Sequence, residues 1–285
     1  MKKLSIVIPV FNQRRYMGDC LRSLEAQELS EVEILVRDAG STDGTLEEID
    51  KFRHIIDDVY SGPDGGQSDA LDAGFAIARG RFLTWLNSDD VVLPGSVESM
   101  IKCIDGGRAE WFVGNTVLLD GDGMVLRVTR AGPCLAPPWS RIVQSYSPST
   151  VFSKDLYARA GGLDRSFHYM MDTDLWWRFI DAGARYQRAG THWWGFRMHE
   201  QSKTTAERFS DARDLMYESS RYLRNAERFE LFLRYGHGMQ GLAQYRSSWL
   251  DKLVRLVDLS YLNQMVETRS NQGRHWSSFG LRRSE

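Results

Sequence analysis

The chain opens on a run of buried-type residues, Leu4 to Val10, rich in Ile and Val, which reads as an interior β-strand. Asn12 then leads into a helical repeat that places Tyr16, Cys20, Leu21 and Leu24 on one face. Val32 to Val36 predicts a second strand, Leu46 to Ile56 a helix, and Val59-Tyr60 a short third strand. Asp64 to Gly66 makes a turn, Ser68 to Ala78 a helix, and Arg81 to Leu86 a fourth strand. Pro94 opens a further helix, since its fixed φ suits the first helical position and its missing N–H is not needed there. Strands and helices that alternate through short connections form a parallel sheet covered on both faces.

Beyond Trp111 the pattern changes. Trp111 to about Ser147 holds strand-like pieces, a turn at Gly121 and Gly123, and Pro133, Pro137 and Pro138, and is expected to form a hairpin and a mobile flap. Helices follow at Lys154 to Ala160 and Asp172 to Ala182, and a last strand at Arg185 to Arg188. From Ala206 onward there is no proline, and Leu215, Tyr222, Phe229 and Leu233, then Leu250, Leu253, Leu256 and Leu259, recur at helical spacing. Two or three helices are expected there, followed from Arg269 to Glu285 by a basic tail expected to be disordered.

Composition narrows the classes. The 285 residues suffice for one large core, and 42% are hydrophobic. A net charge of −2 argues against nucleic acid as a partner. Residues 206–285 carry 13 Lys+Arg against 10 Asp+Glu, so the C-terminal part is only slightly basic. Cys20, Cys103 and Cys134 are far apart and odd in number, which fits a reducing compartment and no disulfide framework. No stretch nears the roughly 20 apolar residues that span a bilayer, and the first apolar run is too short for a signal peptide. A cytoplasmic protein is expected. Most of the nine Trp and eleven Tyr belong to the core, and some could stack on sugar rings in an acceptor groove.

The strongest chemical signal is Trp85-Leu86-Asn87-Ser88-Asp89-Asp90, a strand that runs into two adjacent carboxylates. Open α/β sheets bind ligands where strands end. Carboxylates there suit a hard divalent cation, and a cation suits a diphosphate. Asp38, at the end of the second strand, can accept a hydrogen bond from a base or a ribose, with Gly40 allowing close approach and Asp43 capping the next helix. Asp64 and Asp69 could hold nucleotide or acceptor hydroxyls. Equally, Ser68 could cap the helix and Asp69 offset its dipole. Asp172 opens a helix, where it could be a cap, a general base, or both. His199 is, on its own, more plausible as a structural residue than as a ligand.

Together these residues resemble the family 2 glycosyltransferases, the group with the GT-A fold, over about residues 1–205. The resemblance is carried by Ser5 to Gln13, Asp38 to Thr45, Asn87 to Asp90, Asp172 to Arg178 and Arg197 to Ser202. The variant of Asp64 to Ala70 with Trp85 to Asp90 looks like the bacterial enzymes that build surface polysaccharides. The resemblance implies an α/β GT-A fold with a mostly parallel central sheet and a C-terminal helical extension. It implies a nucleotide-binding half to about residue 117 and an acceptor half over about 118–205, to which the apolar spacing adds a helical region over 206–268 and the composition a tail over 269–285. Pro9 and Phe11 would flank the nucleotide, Asp38 would contact the base, and Asn87 and Ser88 would lie beside the donor with Asp64 and Asp69. Asp89 would be the metal-binding acid of a DxD-type motif, with Asp90 beside it and His199 near the metal and diphosphate. The metal would be Mn²⁺ or Mg²⁺, and Asp172 the catalytic base.

The sequence departs from the family pattern at Asn87, the motif's first acid, at Met171, the usual Glu before the base, at Ala39, a second acid, and at Leu71-Asp72, where many members have Arg-Asn. The expected reaction is an inverting transfer of one sugar per encounter, from a UDP-sugar first, or a GDP- or dTDP-sugar, to a saccharide or lipid-linked acceptor. Two other readings compete. A sugar nucleotidyltransferase would need a glycine-rich first loop, which Pro9 to Gln13 lacks. A catalytically degenerate sugar-nucleotide-binding partner would account for Asn87 and Met171. The C-terminal helices are expected to pack or to form a homodimer. The alternative is peripheral contact at the inner face of the membrane through Arg269, Arg274, Arg282 and Arg283 with Trp276 and Phe279.

Overall fold

A computed structural model describes residues 2–107, 109–131, 149–167, 170–200, 202 and 267–279. The first half runs β1 (Leu4–Val10), α1 (Arg14–Glu25), β2 (Val32–Asp38), α2 (Thr45–Asp50), β3 (Asp58–Ser61), α3 (Gln67–Ile77), β4 (Phe82–Trp85), β5 (Val91–Val92) and α4 (Ser96–Gly106). The second half adds β6 (Trp111–Leu119), β7 (Val125–Thr129), β8 (Thr150–Ser153), α5 (Lys154–Arg159), α6 (Met171–Asp181) and β9 (Tyr186–Arg197). Among the described residues these strands form one sheet in the order β3-β2-β1-β4-β8-β6-β9-β5, with β7 paired to β6 off that path. Pairings from β3 to β4 are parallel. Beyond β4 the sheet is mixed: β8 runs antiparallel to β4 and β6, and β9 parallel to β6.

Period-two alternation sorts the side chains onto the two faces. From β1, Leu4, Ile6, Ile8 and Val10 join Ile34 and Val36 of β2 and Met17, Cys20, Leu21 and Leu24 of α1 in one core cluster. Val7, Leu35, Leu83 and Trp85 point the other way, to Leu71 and Phe75 of α3 and Leu175, Trp176 and Phe179 of α6. Helix α3 lies so close that a Cβ on Gly74 would come within 2.5 Å of Val7 Cγ1. Helix α6 is held by an indole stack. Trp176 lies between Trp85, at 5.7 Å and 12°, and Trp111, at 5.3 Å and 23°.

Several sequence expectations change. The last strand does not stop at Arg188 but continues to Arg197, because Gly190 (φ 74°) carries it through an irregular register with β6. Residue 117 lies inside β6, and the described parts of both halves of the 1–205 domain share one sheet. Helix α4 starts at Ser96 after Gly95, leaving Pro94 outside it. The flap (132–148) and the helical region up to residue 266, with the dimer contact assigned to it, lie outside the described residues, as do Arg282 and Arg283.

The tail is ordered where it is described, over 267–279. Trp276 and Phe279, both 6% exposed, pack with Val117, Leu119, Val125 and Val128. Gly273 N donates to Val125 O and Val125 N to Arg274 O, at 2.9 and 2.8 Å. Arg130 pairs with Glu267 at 2.8 Å. With both rings buried against the β6–β7 hairpin, they are not available as a membrane-facing pair. Among the described residues no helix is long and apolar enough to cross a membrane. Trp276→Ala should destabilise the protein by about 3 kcal/mol, the usual cost of truncating a buried aromatic. Urea unfolding measures it, and a loss under about 1 kcal/mol would show that the segment contributes little to the fold.

Candidate active site

Parallel strands carry their C-terminal ends to one edge, and the expected site residues gather there. Val10 of β1 sits in register with Asp38 of β2, and Asp38 with Ser61 of β3. Pro9 is buried within β1, while Phe11, just past its end, is 57% exposed and presents an aromatic ring to the edge. Asn12 takes a left-handed φ of 51°, which Asn tolerates better than most residues. Its side-chain oxygen accepts from Thr42 N at 2.9 Å and its own N–H donates to Ser41 Oγ at 2.8 Å, lacing the β1–α1 and β2–α2 loops together.

Asp38 is 1% exposed, and its carboxylate is committed to that loop. It accepts from Gly40 N at 3.1 Å, from Ser41 N at 3.0 Å, and from the hydroxyls of Ser41 and Ser61. Asp64 likewise closes its own turn, accepting from Gly66 N at 2.8 Å. Asp69 lies in the first turn of α3, accepts from Gly65 N at 3.0 Å and pairs with Arg165. Ser68 is not the cap of α3, since the helix begins at Gln67. Its hydroxyl donates to Met171 Sδ at 3.0 Å, tying the starts of α3 and α6 together. Asp172 is therefore brought to the same edge, one residue inside α6 rather than at its cap, and accepts from Thr173 N at 2.6 Å.

Between β4 and β5 the chain makes the tight turn that carries Asn87 to Asp90. Ser88 is buried in it, 5% exposed. Asp89 and Asp90 face different ways. Asp90 is 1% exposed and points inward, accepting from Arg197 N at 2.8 Å and Asn87 Nδ2 at 2.9 Å. Burial, and then the charge of Asp89, push its carboxyl well above the usual range. Its oxygens are thus turned to the protein rather than to a ligand. Asn87 Oδ1 in turn accepts from Gln67 Nε2 at 3.0 Å. Asp89 points the other way, its side chain 20% exposed, with Oδ2 3.1 Å from His199 Nε2. The His199 ring lies 4.3 Å from that of Tyr16, and its Nδ1 is buried with no hydrogen-bond partner among the described residues.

Arg197 is a residue of this site to which the sequence assigned no role. It is 1% exposed and donates to Asp89 O, Gly121 O and Asp19 Oδ2 at 2.9, 3.0 and 3.2 Å, while stacking on Tyr16 at 5.0 Å. The available signal was an Arg at the end of the apolar strand Trp193-Trp194-Gly195-Phe196, where a charge needs partners.

The model of glycosyl transferase family 2 matches residues 5–146. The chain belongs to that family. GlyG of Streptococcus pneumoniae, a glycosyltransferase, is 28% identical over 115 residues, 39% of this chain and 38% of that one. A GalNAc(5)-diNAcBac-PP-undecaprenol beta-1,3-glucosyltransferase of Campylobacter jejuni is 29% identical over 126 residues, 41% of this chain and 39% of that one. These matches span well under two thirds of the relatives' own length. The fold is that of S. aureus TarS 1–349 in complex with UDP-GlcNAc, with a TM-score of 0.64 at 17% identity, covering 93% of this chain and 79% of that one.

Membership of family 2 raises the question of a cation. Among the described residues no group of three or more His, Cys, Asp or Glu could hold a metal on its own. Asp89 faces His199 Nε2, while the unpartnered Nδ1 lies buried elsewhere on the ring. The carboxylate is the ligand type that suits a Mg²⁺- or Mn²⁺-type ion, most of whose positions would go to water and substrate phosphate. The departure at Asn87 also has a reason within this family 2 chain: its amide donates to the buried Asp90, where an acid would face a second carboxylate. Asn87→Asp should therefore lower stability at neutral pH by about 1–3 kcal/mol. A carboxyl forced up in pKa by the fold costs stability above that pKa, and the loss disappears as pH falls through it. Urea unfolding of wild type and variant between pH 8 and pH 4 tests this, and a pH-independent difference would contradict it.

Proposed function

We propose that the chain is a cation-assisted glycosyltransferase. It moves one sugar from a nucleotide-diphosphate sugar, UDP-linked in the first instance, to a hydroxyl of a saccharide or lipid-linked acceptor in bacterial polysaccharide or glycoconjugate synthesis. The observation that carries this is the opposition of Asp89 and His199 at the carboxyl edge of the sheet, with Asp172 brought to the same edge through Ser68 and Met171. The curated relatives named above act in glycosyl transfer, and TarS has been crystallised with UDP and with UDP-GlcNAc, which supports this choice of donor.

Phe11 offers a face for the base, beside the loops that Asp38 and Asn12 hold in place. Asp38 acts here through its loop, and Asp90 through the turn it anchors. Asp89 and His199 would hold the cation, Mn²⁺ or Mg²⁺, which when bound supplies positive charge against the diphosphate leaving group. Asp172 sits in the first turn of α6, where the helix N-terminus favours a negative side chain. There it takes the proton from the acceptor hydroxyl oxygen as that oxygen attacks the anomeric carbon from the face opposite the diphosphate, which inverts the configuration.

Binding of UDP-, GDP- and dTDP-sugars, measured by calorimetry with Mn²⁺ and with chelator, tests the donor reading. Metal-dependent selection of one donor is expected, and a folded protein that binds none would refute it. Asp89→Ala should remove the metal-dependent part of that binding. Asp172→Asn should keep donor affinity and lower kcat by about a hundredfold or more, the usual weight of a general base. Near-normal turnover in Asp172→Asn would show that the base lies elsewhere.

A further inference from the structure

We infer that Arg197 is the positioning residue of the donor site, and that its forked guanidinium, not its charge alone, keeps Asp89 and His199 facing each other. This rests on the reading of those two residues as the pair that meets the cation and diphosphate. Arg197 reaches three separate elements at once, the β4–β5 turn, the β6–β7 turn and α1. Its Nε holds the main-chain carbonyl of Asp89, Nη1 that of Gly121 in the β6–β7 turn, and Nη2 the carboxylate of Asp19 on α1. Its face covers Tyr16, whose ring is the surface on which His199 rests. Arg197 thus touches the main chain of one member of the pair and the support of the other, without touching either functional side chain.

The geometry demands an arginine. The acceptors lie in different directions at 2.9–3.2 Å, and only a planar group with donors spread along its edge serves them together. A lysine keeps the positive charge near Asp19 and Asp89 but ends in one compact ammonium. It would leave at least one of the two carbonyls without a donor and give up the contact over the Tyr16 ring. The link to Asp90 is separate, because it runs through the main-chain N–H of Arg197 and survives any side-chain change. Substitution at 197 therefore frees the Asp89 main chain and the Tyr16–His199 ring contact while the buried Asp90 anchor stays.

The test uses the full chain with Arg197→Lys, Arg197→Met and a control, Arg79→Met. Arg79 pairs with the buried Glu33 and with Asp57, away from the carboxyl edge. UDP binding is measured by calorimetry at a series of Mn²⁺ concentrations and in chelator, alongside the melting temperature. Arg197→Lys should raise the half-saturating Mn²⁺ concentration by about tenfold or more, the usual effect of losing a group that orients metal ligands. UDP binding in chelator should change little. Arg79→Met should lower the melting temperature and leave the Mn²⁺ requirement alone. Wild-type behaviour in Arg197→Lys would overturn the inference, because charge alone would then suffice. If neither Arg197 variant folds, Asp19→Asn, which loosens one arm of the fork, should shift the Mn²⁺ requirement in the same direction by less, and no shift would overturn the inference. A wild-type chain that binds no UDP at any Mn²⁺ concentration fails differently: it sinks the UDP donor reading on which the inference stands.

Discussion

A carboxylate taken out of water must find donors within the protein, and Asp90 sets that requirement at the carboxyl edge of the sheet. Leaving such a group unpaired costs about 3–5 kcal/mol. Two donors answer it, Asn87 Nδ2 and Arg197 N, and each brings a different part of the fold with it. Asn87 is tied through Gln67 to the start of α3, and Arg197 closes β9 against the turn that leads into β5. With Asp90 anchored inward at the end of the turn, its neighbour Asp89 faces the other way, toward His199.

The two sides of the edge are stabilised by different cores. Tyr16 and Asp19 belong to α1, whose inner face packs against one side of the sheet. Asp172 belongs to α6, held on the other side by the stack of Trp176 between Trp85 and Trp111. Such ring pairs contribute about 0.5–1.5 kcal/mol beyond their burial, and their planes also set helix orientation. The sheet is then the rigid ruler between the Asp89–His199 pair on one side and Asp172 on the other.

The alternation from β1 to β4 was legible because each of these strands pairs in parallel with a near neighbour through a short crossover. The short strands β5 and β8 were not. Their pairing partners are distant in sequence, β9 and β6 among them, and strands with two apolar residues each carry no period of their own. The last strand was ended at Arg188, whereas Gly190 absorbs an irregularity in mid-strand and β9 runs on to Arg197. In the site, the acids at strand ends were visible from position alone. Asp90 and Asp38 were read as facing a ligand because burial depends on which donors the tertiary fold supplies, and Arg197 N and Ser61 Oγ come from other strands. Trp276 and Phe279 sat in a polar, basic stretch whose composition hid the apolar patch they cover.

The return of residues 267–279 to the β6–β7 hairpin has a topological consequence. Ser202, bonded to His199 O at 2.7 Å, and Glu267, paired with Arg130, are both fixed to the same sheet. The chain therefore leaves and re-enters this body at two held points, one beside His199 and one beside the β6–β7 hairpin.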